Sequence, residues 1–130
     1  MVSTKYLGII IDDKLLWKDH IQHLVSKISS LIGIIYRRRY LLPLHCKQNI
    51  YFALIYSHLV YGIEVYANTF KSYLNPLIIK CNCLLRVLQN CPKKTKISEL
   101  YRNFNTLPVD ILFKLFSMKL LHRCQHDAHM

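Results

Sequence analysis

Two adjacent aspartates are the first residues in the sequence whose type could support catalysis. Polymerases bind two metal ions through clustered carboxylates, and Asp12 and Asp13 follow the apolar segment TKYLGIII. Side chains alternate across a strand, so two neighbours point apart, and no acidic residue precedes Asp12 to complete a site. We therefore expect the pair to serve a turn or the start of a helix, and we predict no catalytic residue in this chain.

A second group of reactive side chains lies near the C-terminal end of the sequence. His122, Cys124, His126 and His129 are spaced as His-x-Cys-x-His-x-x-His, which matches no standard zinc pattern. A frayed, histidine-rich end explains the group better, and we predict no metal site. The five cysteines show no paired spacing, which favours reduced thiols and an intracellular protein.

Basic residues form the third group, and they are clustered. The chain has 18 Lys and Arg against 7 Asp and Glu, a formal net charge of +11, so it should attract polyanions. One cluster follows a predicted helix, and the other occupies the loop CPKKTK, where cations can contact phosphates. The candidate phosphate-binding residues are Arg37, Arg38, Arg39, Lys93, Lys94 and Lys96.

These residues must be positioned by a mainly α-helical fold. The segment Thr4–Ile11 is β-branched or aromatic and nearly all apolar, which predicts one strand buried on both faces. No other segment offers a convincing partner strand, so we expect this strand to be the edge of a sheet that lies outside the sequence. Apolar residues then recur at spacings of three and four. The predicted helices, about five in a bundle, begin near residues 17, 44, 72, 97 and 108.

The order of these motifs resembles the region after the palm in reverse transcriptases of non-LTR, LINE-type, jockey-like retrotransposons. In that family a YLG strand is followed by an acidic turn, a Trp, a His-Ile pair and later LP segments. The resemblance runs from about residue 4 to residue 116. The matching residues are Tyr6, Leu7, Gly8, Asp12, Trp17, His20, Ile21, Leu42, Pro43, Leu107 and Pro108.

The resemblance implies a fragment of an RNA-directed DNA polymerase. Residues 1–16 would form the end of the palm, with Tyr6, Leu7 and Gly8 as a primer-grip-like strand near the primer backbone. Residues 17–130 would form a thumb-like helical domain that contacts an RNA–DNA hybrid or another nucleic acid. The catalytic aspartates and their Mg²⁺ would lie in an upstream palm domain of the parent chain, so this segment would have no cofactor and no activity of its own.

Two other classes of function remain open. The chain could be a stand-alone basic helical module that binds nucleic acid without enzymatic activity. It could also be a helical protein-interaction or membrane-surface protein, because it is both basic and 52% hydrophobic. The most apolar stretch, residues 51–67, is interrupted by His58 and Glu64 and is shorter than the roughly 20 residues of a membrane-spanning helix. We therefore expect no insertion into a membrane.

Overall fold

A computed structural model describes residues 3–12 and 16–128. Most of these residues are helical, and most of the buried core residues lie on the helices. The predicted mainly α class is confirmed, and each predicted helix begins within one residue of its expected position. A π-helical segment, Tyr51–Tyr56, joins α2 to α3. The elements are β1 Ser3–Tyr6, β2 Ile9–Asp12, α1 Lys18–Arg38, α2 Leu44–Ile50, α3 Ser57–Val60, α4 Ile63–Tyr66, α5 Lys71–Gln89, α6 Ile97–Asn103 and α7 Val109–Ala128.

The N-terminal extended segment is a β-hairpin, which corrects the prediction of one strand over Thr4–Ile11. β1 and β2 pair in antiparallel register, and the chain reverses at Leu7 and Gly8 with φ of +50° and +84°. Two consecutive positive φ angles are typical of a two-residue hairpin turn. Glycine adopts such angles freely but leucine rarely does, so the composition gave little sign of a turn. Each strand therefore finds its first partner within the same segment.

The core of the protein forms around α1 and α5, which run side by side in the same direction. The Lys18 ammonium lies 5.8 Å from the centroid of the Tyr73 ring near the start of both helices. Apolar side chains of α1, such as Ile28, and of α5, such as Leu84 and Leu85, are buried. α5 also contacts α6 and α7, and α7 contacts α3 and α4. The C-terminal ends of α1 and α5 consequently lie on the same side of the molecule.

The helix from residue 44 onward is less enclosed than its apolar sequence predicted. Tyr51, Ile55 and Leu59 are buried, but Phe52 and Leu54 are 38% and 45% exposed. Neighbouring helices cover only one side of the helix, and the other side faces solvent. No helix within the described residues is both long and apolar enough to cross a membrane.

The hairpin is attached to the helices by hydrogen bonds to its backbone. The Ile10 N–H donates to Nδ1 of His20 at 3.3 Å, and the Tyr61 hydroxyl donates to the Leu7 carbonyl. Because Nδ1 accepts this bond, the neutral His20 ring carries its proton on Nε2. His20 is 2% exposed, and burial, with the nearby positive charges of His23 and Lys27, lowers its pKa to about 4.

Close contact between the hairpin and the helices depends on a glycine. Gly62 has a φ of +70°, and a Cβ atom there would lie 2.4 Å from Cδ1 of Ile9. The backbone angle and the missing side chain thus both favour glycine at this position. We refer to the hairpin, the start of α1 and the Tyr61–Gly62 turn as the hairpin junction.

Candidate nucleic-acid interface

The carboxylate of Asp12 has a structural role at the start of α1. Its two oxygens accept hydrogen bonds from the backbone N–H groups of Leu16 and Trp17 at 3.4 and 3.2 Å. Asp12 is 2% exposed, and a negative charge near a helix N-terminus is stabilising. The geometry fits the predicted helix-start role, whereas a metal ion would have to replace these bonds. Asp13 lies outside the described residues.

The potential metal ligands near the C-terminal end lie on an exposed helical surface. His122, Cys124 and His126 belong to α7 and are exposed, while His129 lies outside the described residues. Nowhere in residues 3–12 and 16–128 do three His, Cys, Asp or Glu side chains come together in a way that could hold a metal ion.

The C-terminal end of α1 carries an arginine stacked between two tyrosines. The Arg39 guanidinium carbon lies 3.9 Å from the centroid of the Tyr36 ring and 4.4 Å from that of the Tyr40 ring. Arg39 also donates a hydrogen bond to the Tyr40 hydroxyl at 3.3 Å. Arg37 and Arg38 are exposed. Helical spacing places residues three and four apart on one face, which explains why Tyr36 lies on the same side as Arg39 and Tyr40.

The C-terminal end of α5 turns the basic loop back across the helix. Asn90 ends α5 with a φ of +52°, and the Cys91 N–H donates to the Arg86 carbonyl at 3.0 Å. A left-handed residue at this position is a common way to end a helix. The turn directs the following residues, including Lys93, toward the side of α5 that faces α1.

Polar contacts between α5 and α6 hold the other end of this loop. The Gln89 side-chain amide donates to the Leu100 carbonyl at 2.7 Å, and the Tyr101 hydroxyl donates to Oδ1 of Asn82 at 2.7 Å. Tyr101 and Asn82 are both buried, and burial raises the pKa of the Tyr101 hydroxyl. Because both ends of the loop are fixed on α5, its lysines are presented from a rigid base.

The ends of α1 and α5 and the basic loop enclose one groove of about 690 Å³. Each of the three parts contributes one basic side chain to its lining: Arg39 from α1, Arg86 from α5 and Lys93 from the loop. Tyr36 and Tyr40 form its aromatic side. The rest of its wall consists of Ile79, Cys83, Val87, Asn90, Cys91 and Pro92. We call this the basic groove.

The positive charge of the basic groove has no carboxylate to compensate it. No acidic side chain lines the groove, and among the described residues the one ion-pair contact joins His126 to Asp127 at 4.0 Å. Nε of the half-buried Arg86 also has no hydrogen-bond acceptor within this part of the chain. Each helix C-terminus contributes roughly half a negative charge, so two termini offset about one of the three cations. The groove consequently favours an anion.

The structure brings together two of the six predicted phosphate-binding residues. Arg39 and Lys93 line the basic groove although 53 residues separate them in the sequence. Leu7 and Gly8 lie at the exposed hairpin turn, beside Tyr61, and β2 of the hairpin contacts α1 near His20, about 28 Å along the helix from Arg39. Tyr6 ends β1 beside this turn. The predicted basic residues that are exposed but do not line the groove are Arg37, Arg38, Lys94 and Lys96.

Three residues that line the groove were not predicted from the sequence. Tyr36 and Tyr40 flank the arginine triplet in the order Tyr-Arg-Arg-Arg-Tyr, so an aromatic residue on each side of a basic run was the available signal. Arg86 gave no such signal, because it appears as one exposed position of an amphipathic helix. Only the packing of α5 against α1 places it beside Arg39.

The fold and the groove define a helical, cationic segment, and comparison with known proteins identifies its relatives as polymerases of mobile elements. The chain is 30% identical over 128 residues to the RNA-directed DNA polymerase from mobile element jockey of Drosophila melanogaster. It is 24% identical over 112 residues to the probable RNA-directed DNA polymerase from transposon BS of the same organism. These matches confirm the resemblance to jockey-like reverse transcriptases that was inferred from the motifs.

The matches cover most of this chain but little of the relatives. They include 93% and 83% of the chain, yet only 14% and 12% of the jockey and BS proteins. No family model matches the chain, and no solved structure matches it significantly. The comparisons therefore relate the chain to one segment of a much longer type of protein.

Proposed function

We propose that this chain is the template–primer-gripping segment of an RNA-directed DNA polymerase and has no catalytic aspartates of its own. In this proposal it binds the sugar–phosphate backbone of an RNA–DNA hybrid, and an upstream palm supplies the chemistry and its Mg²⁺. The observation that carries the proposal is the basic groove, which brings together cations from two distant sequence clusters without a carboxylate among its lining residues. The names of the relatives support the parent activity.

The distance between the hairpin turn and the groove supports contact with a duplex. His20, which binds the hairpin, and Arg39, which lines the groove, are 19 residues apart on α1, about 28 Å along the helix, a span that a short duplex can cover. A short hybrid could therefore touch the exposed turn at Leu7 and Gly8 and the arginine cluster at once. Cations at one end and a side-chain-free backbone at the other suit recognition of shape and phosphate, which is how proteins grip A-form helices.

The experiment that tests the proposal removes the arginine cluster and measures the salt dependence of binding. We expect the triple variant Arg37→Ala, Arg38→Ala, Arg39→Ala to bind a fluorescent 12-base-pair RNA–DNA hybrid more weakly than the wild type. The slope of log K against log salt concentration should decrease by up to about three phosphate contacts. Fluorescence anisotropy between about 50 and 200 mM salt covers the useful range.

A matched control separates a binding surface from net charge alone. The triple variant Lys114→Ala, Lys119→Ala, Arg123→Ala removes three exposed cations from α7 and likewise lowers the net charge from +11 to +8. The proposal requires the α1 variant to lose clearly more affinity and slope than the α7 variant. Equal losses, with both variants folded by circular dichroism, would reject the arginine cluster at the end of α1 as a site of grip and favour a nonspecific basic module.

A further inference from the structure

We propose that the basic groove binds an unpaired nucleotide, with its base stacked on Tyr40 and its phosphates held by Arg86 and Lys93. The inference rests on the proposed nucleic-acid grip and assigns this groove to a single-stranded part of the bound nucleic acid. The occupant is defined by its chemistry: a flat aromatic base joined to a negatively charged backbone.

The aromatic side of the groove offers an open ring face. Arg39 covers one face of Tyr40, yet Tyr40 is 79% exposed, so its opposite face is free. Arg39 stacks in turn on Tyr36, which is itself 53% exposed. A base added to the free face of Tyr40 would extend an existing stack of ring, guanidinium and ring. Stacking on aromatic side chains and on Arg is the main way in which proteins bind single strands.

The cationic side of the groove suits the backbone of the same nucleotide. Arg86 and Lys93 line the groove with Tyr40, and no described carboxylate forms an ion pair with either. Nε of Arg86 is buried and has no acceptor among the described residues, so a phosphate in the groove would be bound by the terminal nitrogens of the guanidinium. Positive charge beside exposed rings is the combination that a nucleotide requires, whereas an apolar peptide would gain nothing from the cations.

The geometry also separates an unpaired base from a duplex. Within a duplex both faces of each base are covered by neighbouring pairs, so a ring can stack only on an unpaired or terminal base. The volume of about 690 Å³ lies within the range of roughly 300–1,000 Å³ that is usual for small-molecule sites. The groove can thus hold part of a single strand while a duplex remains outside it.

The test compares single strands with and without bases. We expect the wild-type chain to bind an eight-residue single strand about tenfold more tightly than the same backbone with four central abasic residues, as stacking on one ring allows. Tyr40→Ala should abolish this preference, and Tyr40→Phe should keep it because the ring remains. DNA and RNA versions of both strands show whether the site distinguishes the two sugars.

The matched control is Phe70→Ala, which removes an exposed aromatic residue at the opposite end of α5 and should leave the preference unchanged. If the wild type binds both strands equally, or if Tyr40→Ala keeps the preference, the inference is wrong. The outcome is independent of the hybrid experiment: loss of grip in the arginine variant without any base preference would leave the proposed function standing and remove only this site.

Alkylation of the cysteines provides a second measurement that needs no substitution. Cys83 and Cys91 line the groove, whereas Cys124 is exposed on α7. A saturating single strand should slow the reaction of Cys83 and Cys91 with iodoacetamide at least about threefold and leave that of Cys124 unchanged, as peptide mass spectrometry can show. Equal rates with and without the strand at all three cysteines would place the strand elsewhere.

Discussion

The two ends of the α1–α5 pair differ in how far their polar and charged side chains are bonded within the protein. At the hairpin junction, Asp12, His20 and Tyr61 each bond to the backbone, although the buried Nε2 of His20 has no acceptor among the described residues. At the basic groove, three cations line one groove with no carboxylate among the residues that line it. Polar groups with internal partners contribute to stability, while charge without a partner remains available for a ligand. Under the proposed function, the first end serves structure and the second serves binding.

The largest expected effect comes from acid at the hairpin junction. His20 has a pKa of about 4 in the folded chain against 6.5 for an ordinary histidine, so between these two pH values the unfolded chain binds the proton more readily. Stability should be complete above pH 6.5 and decrease as the pH falls toward 4, by up to about 3 kcal/mol. Urea unfolding at pH 7 and pH 4 measures this difference.

The variant His20→Asn isolates the contribution of the ring. Its side-chain oxygen can accept the hydrogen bond from Ile10 but does not titrate, so the decrease in stability between pH 6.5 and pH 4 should be smaller than in the wild type. His23, whose pKa is also lowered by burial, leaves a smaller dependence of the same sign. Affinity for a hybrid at pH 7 should be unchanged. An unaltered pH dependence in the variant would refute the role of His20.

A smaller effect is expected from Gly62→Ala at the same junction. The left-handed backbone costs a residue with a side chain about 1–2 kcal/mol, and the new Cβ also displaces Ile9, so we expect a loss of about 2 kcal/mol in the free energy of unfolding. The control is Gly33→Ala in the middle of α1, where a Cβ meets no atom within 4 Å and should stabilise by about 0.5–1 kcal/mol. Thermal melts of both variants decide the point, and equal shifts would contradict it.

The smallest effect on stability is expected at the groove, from Arg86→Met. Methionine keeps much of the apolar stem, and the arginine Nε has no acceptor to lose, so the free energy of unfolding should change by less than about 0.5 kcal/mol. Affinity for nucleic acid should nevertheless decrease several-fold. If the variant is strongly destabilised, Arg86 is a structural residue and the contrast between the two ends disappears.

The sequence predicted the helices well because their signals are local. Spacings of three and four define α1 and α5, and turn or proline residues bound them. The hairpin was missed since its turn uses Leu7 at a positive φ, which its residue type disfavours. The groove could be predicted only as two separate clusters, because the approach of Arg39 to Arg86 depends on how two helices pack. Tyr40 carried a local signal, but its free ring face is visible only in the fold.

The π-helical segment Tyr51–Tyr56 allows the helix that begins at residue 44 to hold one residue more than a regular α-helix of the same number of turns. Lys47, Tyr51, Ile55 and Leu59 are all buried, a strict repeat of four residues. At 100° per residue an ordinary α-helix would rotate such a row by about 40° at each step, or about 120° from first to last. Wider π turns hold more residues and reduce this drift. Losing one residue here would leave eleven steps from Lys47 to Leu59, about 1,100° in a regular α-helix and within about 20° of three full turns, so this stretch should tolerate a single deletion by becoming α-helical with Leu59 still facing the core.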